Sequence, residues 1–279
     1  MNFNWHGSCL INHERTMLGS ERAHHSGTKW LTVMDNSQLI GLSRQMVLQR
    51  KMDVIANNLA NINTSGYKAD NLMFEEYVMP VARMNEFRPS DRELSYVHDD
   101  RIAHQFSAGS VIDTGNPVNA AFNDTDSFFT IQTPGGDRYT RNGEFDINAQ
   151  GQLVTTDGYP VMGQDGPIIF TTEDTNVNIT RDGQITSDRG DVGRFSVVTF
   201  ADKQALKKEG RSLFAGENPT PVEQPNILGG RIEQSNVKGV VEISRMIEVT
   251  RSYASLAKSL SQTSELRQTA IDTLGKLSA

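Results

Sequence analysis

The chain has 279 residues, enough for one large domain or two small ones, and 37% of them are hydrophobic. Its net charge is −7 and its Lys and Arg residues form no cluster, which excludes a general nucleic-acid-binding protein because phosphate contacts require grouped cations. No run of about 18 apolar residues occurs, so the sequence predicts no membrane-spanning helix.

The first 33 residues differ in composition from the rest. They hold both tryptophans, the one cysteine and four of the six histidines, namely Trp5, Trp30, Cys9, His6, His13, His24 and His25. The histidines lack the spacing of a zinc site, and the segment lacks the apolar stretch of a secretory signal. Because Met34 begins a well-patterned helix, we expect residues 1–33 to be a non-native or disordered N-terminal extension.

Residues 34 to about 62 have a helical hydrophobic period, with Asp35 or Ser37 as the expected N-cap. Apolar residues recur at spacings of 4, 3, 4 and 3, at Leu48, Met52, Ile55, Leu59 and Ile62. These are the spacings of a coiled-coil seam. We therefore predict a coiled-coil helix of roughly 42 Å. Gly66, which can adopt the left-handed conformation, is expected to terminate it.

The end of this helix, the stretch ANNLANINTSGYKAD, is rich in asparagine. Asn57, Asn58, Asn61 and Asn63 are poor helix formers because their side chains compete for backbone hydrogen bonds. They lie off the apolar seam, and amides both donate and accept hydrogen bonds. Two interpretations stay open: a surface that contacts neighbouring subunits, centred on Asn58 and Asn61, or a solvated polar face.

Residues from about 75 to 235 are typical of an antiparallel β domain. Short apolar or alternating runs, such as residues 128–131 and 195–200, are separated by turn pairs such as Asn142-Gly143 and Asp157-Gly158. The Pro-rich residues 218–225 are typical of a linker to the last segment.

Residues 240–274 contain no Gly or Pro and predict a second coiled-coil helix, of roughly 50 Å. Its predicted seam is diluted by polar residues and consists of Ile243, Met246, Thr250, Tyr253, Ala257, Leu260, Ser264, Arg267, Ile271 and Leu274. A stripe this polar requires a partner. Ordinary core helices are the alternative at both ends of the chain, disfavoured by helix length and terminal position.

The sequence lacks the common catalytic motifs, since it contains no P-loop, no HExxH and no GxSxG. A calcium-loop spacing does occur, at Asp146, Asn148, Gln150, Gly151 and Asp157. The flanking residues are typical of strands and not of the helices of that motif, so a hairpin turn is the simpler interpretation. We predict neither an enzyme nor a metal or other cofactor.

Four ordered stretches resemble the bacterial flagellar rod and hook proteins. ANNLANINTSGYK, residues 56–68, resembles their N-terminal signature, and residues 109–145, 151–168 and 235–260 resemble their central segments and C-terminal helix. The resemblance covers nearly all of residues 34–279. Chain length and a single β insert favour a proximal-rod subunit, the one placed next to the distal rod. Thr250-Arg251 and Ala254 depart from the pattern of distal-rod and hook subunits, which stay the alternative.

The resemblance implies a structural subunit that assembles through its terminal helices into a tube and transmits torque, in the periplasmic part of the basal body. It implies other rod subunits and the flagellar export apparatus as partners, with no nucleic acid and no small-molecule substrate. From another class, the alternative is a secreted β-rich adhesin or effector that oligomerises through its helices. The residues expected at subunit contacts are Leu48, Met52, Ile55, Asn58, Leu59, Asn61, Ile62, Met246, Ile247, Tyr253, Leu256 and Leu260.

The predicted fold is therefore mixed and mainly β, with a central antiparallel β domain inserted between N- and C-terminal coiled-coil helices. We expect the N-terminal helix and the following loop in residues 34–75, the β-rich outer domain in residues 76–235, and the C-terminal helix in residues 236–279.

Overall fold

The computed structural model describes residues 27–79, 94–171, 174 and 176–277. A long helix lies at each end of this part, α1 (Gly27–Ala60) with 34 residues and α2 (Gly239–Leu277) with 39. The strands lie between them in the sequence: β1 (Asp70–Met79), β2 (Leu94–His104), β3 (Val111–Asp113), β4 (Ala120–Phe122), β5 (Ser127–Thr133), β6 (Gly136–Thr140), β7 (Phe145–Ile147), β8 (Leu153–Thr155), β9 (Met162–Gly163), β10 (Gly166–Pro167), β11 (Asn178–Ile179), β12 (Gln184–Ser187), β13 (Gly190–Arg194), β14 (Val197–Thr199), β15 (Lys207–Glu209), β16 (Leu213–Ala215), β17 (Thr220–Pro221), β18 (Ile227–Gly229) and β19 (Arg231–Glu233). A short 3-10 helix (Lys203–Ala205) precedes β15.

Helix α1 begins at Gly27, before the predicted start at Met34, so the predicted N-caps Asp35 and Ser37 lie inside the helix. It ends at Ala60, so Gly66 does not terminate the helix as predicted. A turn leads from Ala60 to Gly66, whose φ of 67° is the predicted left-handed conformation. The predictions for residues 1–26, including the cysteine and the four histidines, fall outside the described residues.

The two helices pack against each other in antiparallel directions. Contacting residue pairs, in order along α1 and into the turn after it, are Gly41–Leu260, Gln45–Tyr253, Met52–Thr250 and Ile62–Gly239. A Cβ atom on Gly41 would lie 2.6 Å from Leu260 Cδ2, so the absence of a side chain at Gly41 lets the helices approach closely there. The second helix therefore packs against α1 of the same chain.

Strands β1 and β2 form a two-stranded antiparallel ribbon beside α1. Asp70 lies opposite His104 at the base of the ribbon, and the register shifts between Met73 and Phe74. The loop expected before residue 75 is thus a strand from Asp70 onward. The alternation of polar and apolar residues there is too weak for the sequence to predict a strand.

The remaining strands form a six-stranded sheet and several small sheets, all with antiparallel pairing. The sheet orders are β15–β16–β6–β5–β14–β17, β11–β12–β13, β18–β4, β19–β3, β7–β8 and β10–β9. The predicted runs 128–131 and 195–200 contain β5 and β14. Strands β7 and β8 confirm the hairpin interpretation of the calcium-like spacing, because Asn148 Oδ1 caps the turn by accepting hydrogen bonds from the Gln150 and Gln152 amides.

The main hydrophobic core lies in the β-rich part and not between the helices. It contains Val118, Ala120, Phe122, Phe129, Ile131, Phe145, Leu153, Val161, Ile168, Phe170, Ile179, Ile185, Phe195, Val197 and Ile227. The rings of Phe122 and Phe129 stack with centroids 4.1 Å apart. A separate small cluster of Tyr67, Ala69 and Val237 lies where both helices leave this part. The mixed fold, with two helices and many antiparallel strands, is confirmed.

Candidate assembly site

Helix α2 has a buried side that packs on α1, which we call the inner stripe. Val249 is its most buried member, with 3% of its surface exposed, and Glu242 follows with 5%. The members of the inner stripe recur at alternating spacings of 4 and 3: Glu242, Met246, Val249, Tyr253, Leu256, Leu260, Thr263 and Arg267. The Tyr253 hydroxyl accepts a hydrogen bond of 2.9 Å from Gln45 Nε2 of α1.

The inner stripe differs from the predicted seam at alternate positions. The two share Met246, Tyr253, Leu260 and Arg267, but the predicted members Ile243, Thr250 and Ser264 are exposed. A spacing of 3 and 4 fits two stripes on the same helix, and the inner stripe is the more buried of the two. Thr250 of the predicted seam is exposed but still contacts Met52 of α1. Glu242 is buried and Thr263 is partly buried, whereas Ile243 is exposed.

The side of α2 away from the inner stripe carries exposed apolar residues, which we call the outer stripe. It consists of Val240, Ile243 and Ile247, with 81%, 48% and 47% of their surfaces exposed. Spacings of 3 and 4 place all three on one face of the helix. On α1, Leu42 and Met46 are likewise exposed, and their spacing of 4 also places them on one face.

Most residues predicted at subunit contacts lie within the chain's own helix pair. Ile55 is buried, and Ile247 is exposed on the outer stripe. The apolar and aromatic residues among the others are partly buried: Leu48, Met52, Leu59, Ile62, Met246, Tyr253, Leu256 and Leu260.

Asn58 is buried at the end of α1, where it connects the helix to β1. Its Oδ1 accepts hydrogen bonds from the Asp70 amide at 2.9 Å and from the Tyr67 hydroxyl at 3.1 Å. Its Nδ2 donates to the Asp70 carbonyl oxygen at 2.8 Å. The side chain thus pairs with Asp70 as a neighbouring β-strand would, and it fixes the turn between the helix and the ribbon.

Asn61 is also buried, and its Nδ2 donates to both the backbone and side-chain oxygens of Asn57, at 2.9 and 2.8 Å. Its Oδ1 accepts from the Thr64 hydroxyl. The interpretation of Asn58 and Asn61 as a solvated face is therefore wrong, because both side chains are buried. Their contact with neighbouring subunits stays a prediction for the assembled protein.

A buried ion triad lies just beyond this turn, formed by Lys68, Arg141 and Glu233. Lys68 Nζ lies 2.7 Å from Glu233 Oε1, and Arg141 Nε lies 2.9 Å from Glu233 Oε2. All three side chains are buried. Burial lowers the pKa of Lys68 to about 8, although the charge of Glu233 opposes this shift.

A second polar cluster joins the base of the ribbon to β15. Asp70 Oδ1 lies 2.7 Å from His104 Nδ1, and Asp70 Oδ2 accepts a hydrogen bond of 3.0 Å from Lys208 Nζ. Lys208 Nζ also lies 3.6 Å from the centroid of the Tyr67 ring. Burial raises the pKa of the Asp70 carboxyl, but the His104 hydrogen bond and the Lys208 charge outweigh it and hold the pKa below its ordinary value.

Gly66 completes this turn and permits close approach of Arg141. A Cβ atom at Gly66 would collide with the backbone of Asn142, and its positive φ favours glycine independently. The Gly66 amide donates to the Glu233 carbonyl oxygen at 2.7 Å. The asparagine-rich stretch therefore connects the helix pair to the β-rich part.

Within the described ranges, no group of three or more His, Cys, Asp or Glu residues is arranged to hold a metal ion. Neither α1 nor α2 combines the length and the apolar character that a membrane-crossing helix requires.

The structure thus combines a long helix at each end, a β-rich middle and an exposed outer stripe. Three family models match this chain. "Flagella basal body rod protein" matches residues 39–68, "Flagellar hook protein FlgE/F/G D1 domain" matches residues 124–187, and "Flagellar basal body rod FlgEFG protein C-terminal" matches residues 228–273. They place the chain in the class of flagellar rod and hook proteins.

Sequence identity to individual flagellar proteins narrows this class to the rod proteins. The flagellar basal-body rod protein FlgF of Caulobacter vibrioides is 37% identical over 249 residues, covering 88% of this chain and all of the relative. FlgF of Mesorhizobium japonicum is 32% identical with the same coverage, and FlgG of Buchnera aphidicola from Acyrthosiphon pisum is 30% identical over 82% of this chain and 94% of the relative. The chain belongs to the family of flagellar basal-body rod proteins, which are structural subunits of the rod and not enzymes.

Proposed function

We propose that this rod subunit belongs to the proximal rod and that it assembles with other rod subunits through α1 and α2. The observation that carries the proposal is the outer stripe of Val240, Ile243 and Ile247. These side chains are exposed on a helix whose opposite side is already packed against α1. Exposed apolar residues grouped on one face mark a contact surface.

The size of the outer stripe fits a contact that becomes stable only in a large assembly. Covering the exposed fractions of its three side chains is worth about 4 kcal/mol. Bringing two free chains together costs about as much or more in lost translational and rotational freedom. The isolated chain is therefore expected to be monomeric, and repeated contacts along a rod supply the remaining free energy.

The helix pair also supports coiled-coil packing as the mode of assembly. The inner stripe keeps the alternating 4 and 3 spacing over Glu242 to Arg267, which is the spacing of knobs-into-holes packing. Beyond Leu260, α2 exposes the large apolar side chains of Leu266, Ile271 and Leu274. Neighbouring subunits in a tube would cover both this end and the outer stripe.

The proposed contact surface thus differs from the seam of the helix pair. It contains Ile247 from the predicted set and adds Val240, Ile243, Leu42 and Met46. The remaining apolar and aromatic residues of the predicted set act through the helix pair, whose packing holds the outer stripe in place.

The proposed domain organisation keeps the predicted boundaries. Residues 34–75 and 236–279 form the assembly domain, and residues 76–235 form a β-rich outer domain inserted between them. The position of the strands between α1 and α2 in the sequence supports this proposal.

In the proposed rod, head-to-tail contacts between different surfaces of successive subunits build an open helical tube and not a closed ring. Such a tube transmits torque in the periplasmic part of the basal body. Helices that complete their burial only on assembly suit delivery of an unfolded chain by the flagellar export apparatus, the second proposed partner. Distal-rod or hook subunits stay the alternative within the family, and the comparisons give no support to a secreted adhesin.

The double variant Ile243→Asp/Ile247→Asp, expressed in a strain that lacks the native gene, tests the assembly surface. We expect loss of swimming and loss of the chain from purified basal bodies, while the purified variant keeps the thermal unfolding midpoint of the wild type. The matched control is Ile147→Asp in the β-rich part, where the isoleucine is 44% exposed, and it should swim normally. Normal swimming by the double variant would contradict the proposal.

A further inference from the structure

The buried triad joins three segments that are far apart in the sequence. Lys68 is the last residue of the segment matched by the first family model, Arg141 lies in the second matched segment, and Glu233 lies in the third. Lys68 and Glu233 are 165 residues apart, and Arg141 and Glu233 are 92 residues apart. The triad is therefore a contact among all three parts of the chain that define the family.

The triad lies at the point where both helices leave the β-rich part. Lys68 follows the turn after α1, and Glu233 is the last residue of β19, shortly before α2 begins at Gly239. Arg141 follows directly after β6, a strand inside the six-stranded sheet. The bond between Glu233 and Arg141 therefore joins the helix ends to the sheet and limits how the helix pair can rotate relative to it.

Glu233 is the centre of the triad, and both of its oxygens are used. Oε1 accepts hydrogen bonds from Lys68 Nζ at 2.7 Å and from the Gly109 amide at 2.8 Å. Oε2 accepts from Arg141 Nε at 2.9 Å. The carboxylate is held from three directions, so its position is fixed relative to each of the three segments.

The two cations are fixed by further partners in turn. Arg141 Nη1 donates to the Ser127 carbonyl oxygen at 2.8 Å, and Nη2 donates to the Asp124 carbonyl oxygen. Lys68 Nζ donates to the Ser107 carbonyl oxygen at 2.8 Å. These acceptors are backbone atoms, which cannot follow a moving side chain. Each cation therefore anchors Glu233 to a fixed part of the backbone.

The Asp70–Lys208 ion pair also links the end of α1 to the sheet, whereas two other hydrogen bonds across this region are weaker in kind. The Ser65 hydroxyl donates to Glu144 Oε2 at 3.0 Å, and the Ala69 amide donates to Asn236 Oδ1 at 2.8 Å, and both bonds are only partly buried. In contrast, the side chains of Lys68 and Glu233 are 0% and 1% exposed. A buried ion pair adds little net stability, because desolvation offsets the attraction, but it is directional and costly to distort.

We propose that Lys68, Arg141 and Glu233 are positioning residues, which hold the helix pair in one orientation relative to the β-rich part. In a rod, this orientation determines whether the outer stripe of one subunit contacts the neighbouring subunit. Only this consequence for assembly rests on the proposed function. The triad supplies the orientation, whereas the hydrophobic clusters supply most of the stability of each part.

The distance between the helix pair and the β-rich part of the isolated full-length chain tests the proposal. The chain's one cysteine, Cys9, is replaced by serine, and spin labels are attached at Ser255→Cys on α2 and at Thr156→Cys in the turn that follows β8. Both positions are exposed. Pulsed electron resonance then gives the distribution of label distances, which should be narrow and have one maximum in the wild-type background.

The test variant is Lys68→Met/Glu233→Gln, which removes one positive and one negative group and so leaves the formal charge of the triad at +1. We expect it to fold and to give a distance distribution about twofold broader, because two parts without a fixed contact move relative to each other. The matched control, Arg138→Met/Glu209→Gln, removes a more exposed ion pair of 2.6 Å and should leave the distribution narrow.

A folded double variant with a distribution as narrow as the wild type would overturn the proposal. If the double variant does not fold, Glu233→Asp decides, since it keeps the charge but shortens the reach to Lys68 and Arg141. It should broaden or shift the distribution, and an unchanged distribution would again overturn the proposal. The measurement uses isolated chains, so a failure of rod assembly in cells leaves its result unaffected and distinguishes the two proposals.

Discussion

Replacing Asn58 with alanine should destabilise the single chain, because the Asn58 amide connects α1 to the ribbon. The variant leaves the Tyr67 hydroxyl, the Asp70 amide and the Asp70 carbonyl oxygen without their partner. Each buried polar group left unsatisfied costs about 1–3 kcal/mol. The space vacated by the amide can admit a water molecule that restores part of the bonding. We therefore expect a total loss of about 3 kcal/mol, near the lower end of the summed range.

Urea unfolding, followed by the helical circular dichroism signal, measures this loss as a lower midpoint at an unchanged slope. The matched control is Asn63→Ala, in the same stretch but exposed, which should change the free energy of unfolding by less than about 0.5 kcal/mol. If Asn58→Ala unfolds at the midpoint of the wild type, its three bonds do not hold the turn in solution and the reasoning fails.

Three further outcomes test other parts of the structure. Gly66→Ala should cost at least about 2 kcal/mol in a thermal unfolding measurement, whereas Gly158→Ala, at φ 84° but in open space, should cost only about 1 kcal/mol. Asp70, whose folded pKa is lowered, should contribute stability above about pH 4 that is lost as the pH falls through the folded pKa, so Asp70→Asn should weaken the pH dependence of the unfolding midpoint in that window. Val249→Asp should unfold the helix pair by circular dichroism, whereas Ile243→Asp should leave it folded, and equal effects would contradict the distinction between inner and outer stripes.

The helices were predictable from the sequence because the hydrophobic spacing that indicates a helix is local and repeats over many turns. The spacing at Leu48, Met52 and Ile55 identified α1, and residues 240–274 identified most of α2. The side of α2 that packs was not predictable, because the two candidate stripes share four residues. The sequence alone could not show that Glu242 is buried while Ile243 is exposed, since this depends on where α1 lies.

The buried polar groups were missed for a different reason. Lys68, Arg141 and Glu233 are charged residues, which are normally exposed, and no local pattern distinguishes a buried one. Their pairing depends on segments that meet only in the folded chain. The asparagine-rich stretch at the end of α1 indicated part of this polar network, because asparagines at a helix end compete for backbone hydrogen bonds. The structure shows that Asn58 forms those bonds with Asp70.

The most direct test of the account is deletion of the gene in its native bacterium, followed by a swimming assay and purification of basal bodies. The account predicts cells that do not swim, basal bodies without a complete rod, and recovery of both when the wild-type gene is restored, with the chain present in the purified rods. Deleted cells that swim normally and contain intact rods would contradict it.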